Sequence, residues 1–296
     1  MGATLVELIV GIVVMMAVTG LAVAHVVRHL RAANAISAAL DLNSRLRDGA
    51  DILAAELRGI SPPGDSLAVA ADTAIEFYSA IGSSTVCARP AANTITLPPD
   101  SLPSGRVLSS WLVDPEAGDD VLIFGDSTSS GVARWQRASV QGVAFVATSG
   151  GCPASAGLLS VTDAAGAARS VQISMAPSVV VAATRGAPVR IVRRVRYSVY
   201  RGGDRRWYLG YRRCPASCGP IQPVSGPYES ESGRPISFRY YSRAGAAVST
   251  SGPVADVGRV DLIFRASYAT PFRLPGMGAP IVSDSVVASV ALRNRW

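Results

Sequence analysis

Residues 8–24 run for seventeen positions without a charged side chain, and the apolar character continues through Val26 and Val27 until Arg28, His29 and Arg31 end it. As a helix this stretch is about 25–30 Å long, close to the hydrocarbon thickness of a bilayer. Everything downstream therefore folds behind either a membrane span or an export signal. Three readings of the segment compete. Ala22-Val23-Ala24 has the small-x-small form of a signal-peptidase site. A plain anchor needs only the length, with Glu7 close enough to one end to reach the interface. The third reading starts from Glu7 itself. A carboxylate at the head of a membrane helix costs a few kcal/mol or more unless something pairs with it, and is functional by default.

The helical pattern does not stop at the membrane. Ile36, Leu40, Asn43, Leu46, Ala50, Leu53, Leu57 and Ile60 recur at spacings of three and four, one face of an amphipathic helix. Arg45, Arg47, Asp48, Asp51, Glu56 and Arg58 take the other faces with mixed sign. No proline interrupts the span, and Ser61-Pro62-Pro63-Gly64 then terminates it. The spacing predicts one helix over residues 3–60, on the order of 85 Å long.

Residues 61–296 read differently. Short apolar runs are separated by Gly, Pro, Ser and Thr, the texture of a β-rich domain. Strands are expected at 74–78, 121–124, 132–140, 143–148, 171–175 and 179–182, then at 189–200, 206–213, 236–242, 259–268 and 286–293. Gly202 and Gly203 permit the positive φ of a tight turn, so 189–200 and 206–213 form a hairpin. The expected fold class is α+β, a long N-terminal helix packed on an antiparallel β-rich globular head.

Composition excludes more than it identifies. The net charge is +7, and all 28 basic residues are arginine, which records genome composition more than a partner. The only histidines are His25 and His29, beside the apolar segment. The region beyond them thus lacks the commonest general base and metal ligand, and the usual partner of a Ser or Cys nucleophile. Chemistry by carboxylates alone stays open. The four cysteines, Cys87, Cys152, Cys214 and Cys218, form an even set behind an export or membrane segment, which favours disulfides. Cys214 with Cys218 could close a small loop, leaving Cys87 with Cys152, and the connectivity stays open. The rival is a four-thiolate zinc site, for which one CxxxC is poor spacing.

Gly2-Ala3-Thr4-Leu5-Val6-Glu7-Leu8-Ile9-Val10 resembles the prepilin N-terminus of type IV pilins and type II secretion pseudopilins. The resemblance implies cleavage between Gly2 and Ala3 by a dedicated peptidase, methylation of the new N-terminus, and a role for Glu7 in registration. There its carboxylate neutralises the free amine of a neighbouring subunit and fixes the helix register. It divides the chain into a residual leader (1–2), a transmembrane helix (3–27), its amphipathic continuation (28–60) and a pilin-like head (61–296). Ala3 stands where the family usually has phenylalanine. The family's leader is longer and basic, whereas here Arg28 and Arg31 flank the far end, so the start codon is expected upstream.

Parts of the head are similar to PilW-like minor pilins and J-type minor pseudopilins. The carriers are Val195 to Tyr200 followed by Trp207 to Arg213, then Ile236 to Tyr241 before Arg243-Ala-Gly245, and the ending Val286 to Asn294. Residues 80–187 lie outside the similarity and make the chain larger than a typical J-type subunit. The implied protein is a non-enzymatic minor subunit that primes a pilus or secretion filament. It would sit in the bacterial inner membrane with a periplasmic head, and its partners would be other pilins and the prepilin peptidase.

Two clusters invite ligands. Asp114, Glu116, Asp119 and Asp120 are oxygen donors of the kind calcium takes, and some pseudopilins bind calcium. The spacing is not that of an EF-hand, and acidic turns are ordinarily just solvated. No other cofactor is implied. Between Arg185 and Arg213 there are ten arginines and one acid, interleaved with tyrosines and Trp207. Arg190, Arg194, Arg196 and Arg206 are candidate nucleic-acid contacts. The plainer account puts Val189, Ile191, Val195, Tyr197 and Val199 on the core face of a strand and most arginines on its wet face. The rival class for the whole chain is an exported or anchored β-domain, either a surface binding module or a carboxylate-dependent enzyme.

Overall fold

In the computed structural model the N-terminal stretch forms one uninterrupted helix, α1, from Leu5 to Arg58. The structure describes residues 5–60, 67–127, 132–166, 169–177, 181–228, 234–250, 254, 257–269 and 281–292. With no proline to break its ladder, α1 runs for about 80 Å. Arg58 places a cation in the last turn, where the carbonyl ends of the helix are unsatisfied. The Gly59 N–H closes that turn on the Ala55 and Glu56 carbonyls, both at 3.1 Å. The proline pair that follows lies outside the described residues.

The head begins with β1 (Leu67–Ala71), β2 (Ala74–Thr85), β3 (Ala88–Ala91), β4 (Thr94–Leu97) and β5 (Ser110–Trp111). Next come β6 (Asp120–Ser127), β7 (Ala133–Val146), the short helices α2 (Thr148–Gly151) and α3 (Val161–Gly166), β8 (Ser170–Ala176) and β9 (Val181–Ala182). The rest is β10 (Pro188–Arg201), β11 (Trp207–Arg213), β12 (Gln222–Tyr228), β13 (Ile236–Ser242), β14 (Ala247–Val248), β15 (Val257–Ala269) and β16 (Ile281–Ala291). β13 to β16 form a separate antiparallel sheet in the order β14-β13-β15-β16.

The larger sheet is organised on β2 and β10, which pair along eleven registered positions from Pro188↔Thr85 to Ser198↔Ala74. Near one end β10 carries β11, through Val195–Arg201, and near the other it carries β6, through Val189–Val192. From β6 the order continues β7-β8-β4-β3. β3 is also the direct continuation of β2. The Val86 N–H bonds to the Ala187 carbonyl on the β10 side, and the Cys87 N–H bonds to the Thr96 carbonyl on the β4 side. The chain changes partner between these two residues, so the two ends of the strand path meet. The upper half of the sheet closes into a small barrel.

Two hydrophobic cores result. One lies under α1 and joins Leu46, Leu53 and Leu57 to Phe77, Tyr197 and Tyr228 of the large sheet and to Phe238, Tyr240 and Phe264 of the small one. The other fills the barrel with Ile95, Leu97, Val121, Ile123, Val140, Ile173, Val189 and Ile191. The stretch 80–187, which the sequence left unplaced, is mostly this barrel. A third small cluster gathers Leu102, Leu159 and Ala164 around Cys87 and Cys152.

Several boundaries differ from the sequence expectation. The strands expected at 132–140 and 143–148 are one strand, β7, bulged between Val140 and Gly142, and Thr148 opens α2 instead. Only Val181–Ala182 of the expected 179–182 strand is observed, residues 178–180 being outside the described set. β16 starts at Ile281 and ends at Ala291, while Arg293 and Asn294 lie outside the described residues. On α1, Ile36 and Leu40 are 60% and 66% exposed, and the buried position of that segment is Ala35.

Candidate functional site

α1 has two halves of opposite character. Every described residue from Leu5 to Arg31 is exposed, and all the buried residues of the helix come later, at Ala35, Leu46, Gly49, Ala50, Leu53, Ala54 and Leu57. The first half is long and apolar enough to cross a membrane. Glu7 sits in its first turn, where the partial positive charge of the helix end favours an acid. Gly2 and Ala3 lie outside the described residues.

The second half is fixed to the head by close packing and by polar clips. An added Cβ on Gly49 would lie 2.2 Å from the Tyr228 hydroxyl oxygen, so only glycine admits that ring. Tyr228 uses the space to donate to the Arg45 carbonyl at 3.2 Å, and its hydroxyl meets Ser225 Oγ at 2.7 Å. The Asn43 amide donates to Asp284 at 2.8 Å. The Ser79 hydroxyl donates to Glu56 at 2.6 Å, tying β2 to the end of α1.

The acidic cluster is engaged by arginine. Asp119 is 0% exposed, and its two carboxylate oxygens accept from Nε and Nη2 of Arg193, both at 2.8 Å. This is the bidentate fork that guanidinium and carboxylate make best. Arg193 also donates to the Asp114 carbonyl and to the Glu116 carboxylate, each at 3.2 Å, and Arg213 donates to Glu116 and lies 3.4 Å from Asp119. The bond to Asp119 raises the Arg193 pKa, against the opposing effect of burial. Asp120 stands apart, 3.8 Å from Arg137. Burial pushes its carboxyl up, and Arg137 partly offsets this.

Gly118, with φ of +88°, brings this loop against Pro215 in the Cys214–Cys218 loop. The four acids therefore present no shared vacancy for calcium. Among the described residues, the only three potential metal ligands whose donor atoms converge are Glu76, Cys214 and Cys218. Both of those sulfurs are in the Cys214–Cys218 disulfide, and Cys87 pairs with Cys152.

The candidate nucleic-acid arginines are not equivalent. Arg190 lies over the Trp135 ring at 5.1 Å. Arg194 pairs with Glu76 at 2.5 Å, and Arg196 stands 3.7 Å from the same carboxylate. Glu76 is 3% exposed, so it is an internal counter-charge for this face. Arg206 is exposed beside the β10–β11 turn. Arg193 departs from the expected pattern and faces the core with Val195 and Tyr197, 7% exposed. The two-residue strand period signals this, since 193 has the parity of 195 and 197. Assigning faces by charge hides it. Glu76 carried no such signal, because its partners come from a strand more than a hundred residues away.

Helix and head together define the class: an α+β protein whose N-terminal helix is long and apolar enough to root it in a membrane. No family model, curated protein or solved structure matches the chain.

Proposed function

We propose that the chain is a non-catalytic subunit of a membrane-rooted helical filament, a minor pilin or pseudopilin of the PilW-like kind. The observation that carries this reading is the division of α1. One half is bare, apolar and headed by Glu7, and the other is locked into a β head. A bare half needs neighbours once it leaves the bilayer, and parallel copies of the same helix supply them. Glu7 then neutralises the amine of an adjacent subunit, after cleavage between Gly2 and Ala3. The head sits in the periplasm, where the two disulfides persist.

The test is the N-terminus of the protein from native membranes, read by intact-mass and peptide mass spectrometry, together with filament assembly in a Glu7→Ala strain. A mature chain beginning at methylated Ala3, and loss of assembly with the head still folded, are the expected results. A chain beginning at His25 would make the protein an ordinary secreted domain. Normal filaments from Glu7→Ala would remove the registration role.

A further inference from the structure

The turn between β1 and β2 is flanked by two clefts that share Thr73. The first, of about 480 Å³, is lined by Asp72, Arg234, Arg239 and Arg265. The second, of about 310 Å³, is lined by Ala74, Ser198, Arg196 and Arg212. Among the described residues that line the two clefts, five are arginines and one, Asp72, is an acid.

Among the described residues these charges have few acidic partners. Arg196 and Arg212 are directly opposite each other in the β10–β11 register, an arrangement that destabilises a strand pair unless an anion intervenes. Glu76, the nearest acid, is already taken by Arg194 and is 3.7 Å from Arg196. The Nε of Arg212 is buried and meets no acceptor among the described residues. On the other side, Arg239 is registered against Asp261, but that carboxylate is engaged by Arg259 at 3.2 Å and by the Ser289 hydroxyl at 2.8 Å. Arg265 has the Ser237 hydroxyl at 3.2 Å.

We propose that the two clefts form one binding site for a soluble ligand carrying two or more phosphate groups, bridging Arg212 on one side of Thr73 to Arg239 and Arg265 on the other. Phosphate suits the donors. Each group offers several strong acceptor oxygens, and a guanidinium pairs with them through two parallel bonds. A single phosphate occupies only part of one cleft and leaves the other's charge uncompensated, so a chain of phosphates binds more tightly than one. The only aromatic ring in the lining, Phe238, is buried, so no base is stacked and a nucleic acid gains nothing over its bare phosphate chain.

The experiment uses the full-length chain in neutral detergent, titrated at low salt with inorganic phosphate, tripolyphosphate, oligothymidylate and phosphatidylglycerol vesicles. Binding is followed by calorimetry and by the rise in Tm. Tripolyphosphate should bind saturably, raise Tm and weaken steeply with added salt, while inorganic phosphate binds far more weakly. Arg239→Gln and Arg212→Gln should each weaken tripolyphosphate about tenfold, the effect of losing a charge-assisted pair. Arg134→Gln, an exposed arginine on β7 outside both clefts, should change nothing. Arg239 is exposed, so its variant carries the test even if Arg212→Gln does not fold. The proposal is overturned by equal binding in Arg239→Gln and wild type, by oligothymidylate outcompeting tripolyphosphate, or by binding to vesicles alone.

Discussion

The core under α1 and the core of the barrel are built from different side chains. Beneath the helix, Phe77, Tyr197, Tyr228, Phe238, Tyr240 and Phe264 do most of the filling. The buried residues of the barrel include no aromatic ring, only Ile, Val, Leu, Ala and Met. The geometry explains the contrast. A helix laid on two sheets leaves a wide, uneven gap that needs long, rigid side chains. A small closed barrel is filled by branched aliphatics pointing inward from every strand.

The tyrosines under the helix also need somewhere to place a hydroxyl. Tyr240 donates to the Ala71 carbonyl at 2.9 Å, and burial pushes its pKa well up. The aromatic core is therefore pinned by directional bonds, whereas the barrel core is held by shape alone. Between them, on the strand both share, sits Arg193 with Asp119. One ion pair marks the boundary between two ways of filling space.

That contrast is breakable. The largest effect is expected from the cross-link at the barrel end. Cys87→Ser opens a loop of 65 residues, worth about 4 kcal/mol in chain entropy, whereas Cys214→Ser opens a loop of only 4, worth about 2 kcal/mol. Urea unfolding under oxidising conditions, monitored by tryptophan emission, should rank them in that order. Equal losses would mean that strain or residual structure, and not loop length, sets the effect.

Next comes the boundary itself. Asp119→Ala leaves Arg193 buried beside the weaker partner Glu116 and should cost about 3 kcal/mol. Hydrogen exchange should then show the barrel amides opening before those of α1. Uniform loss of protection across the head would show that the two cores unfold as one unit. The mildest test is Gly49→Ala. The methyl group drives into Tyr228 and Ser225, and about 2 kcal/mol is expected from overpacking against the intrinsic gain of alanine in a helix. A rise in Tm would mean that the ring moves aside freely and that the aromatic core is less constrained than its contacts imply.

What was legible in the sequence followed periodicity. The single helix, its end near residue 60, the β10–β11 hairpin and the span of β13 all come from local patterns that tertiary contacts did not overrule. The Cys214–Cys218 and Cys87–Cys152 pairs are the connectivity the short loop suggested, one of the three that four cysteines allow, and the sequence alone left it open. Closure of the barrel was not legible, because it depends on a change of partner between Val86 and Cys87 that no local pattern records. β3 and β4 are four residues each, too short to display alternation. The acidic cluster was visible but its partner was not, since Arg193 is 74 residues from Asp119 and looks, by charge, like a surface residue. Ile36 and Leu40 continue the apolar face of the helix that periodicity marks, but within the single chain they stay exposed, and Ala35 is the buried position there.

The shared β2–β10 ladder has a mechanical meaning. A pull on the membrane end of α1 meets the Asn43–Asp284 and Arg45–Tyr228 bonds first and reaches β2, near the middle of its length, only at the last turn through Glu56 and Ser79. Strands pulled along their own axis resist with all their rungs together, whereas strands peeled from one end yield one rung at a time. β2 and β10 pair at eleven positions on both sides of that attachment, with one bulge between Ile191 and Val192, so tension that reaches β2 is spread along a long ladder and not over a few rungs at its end.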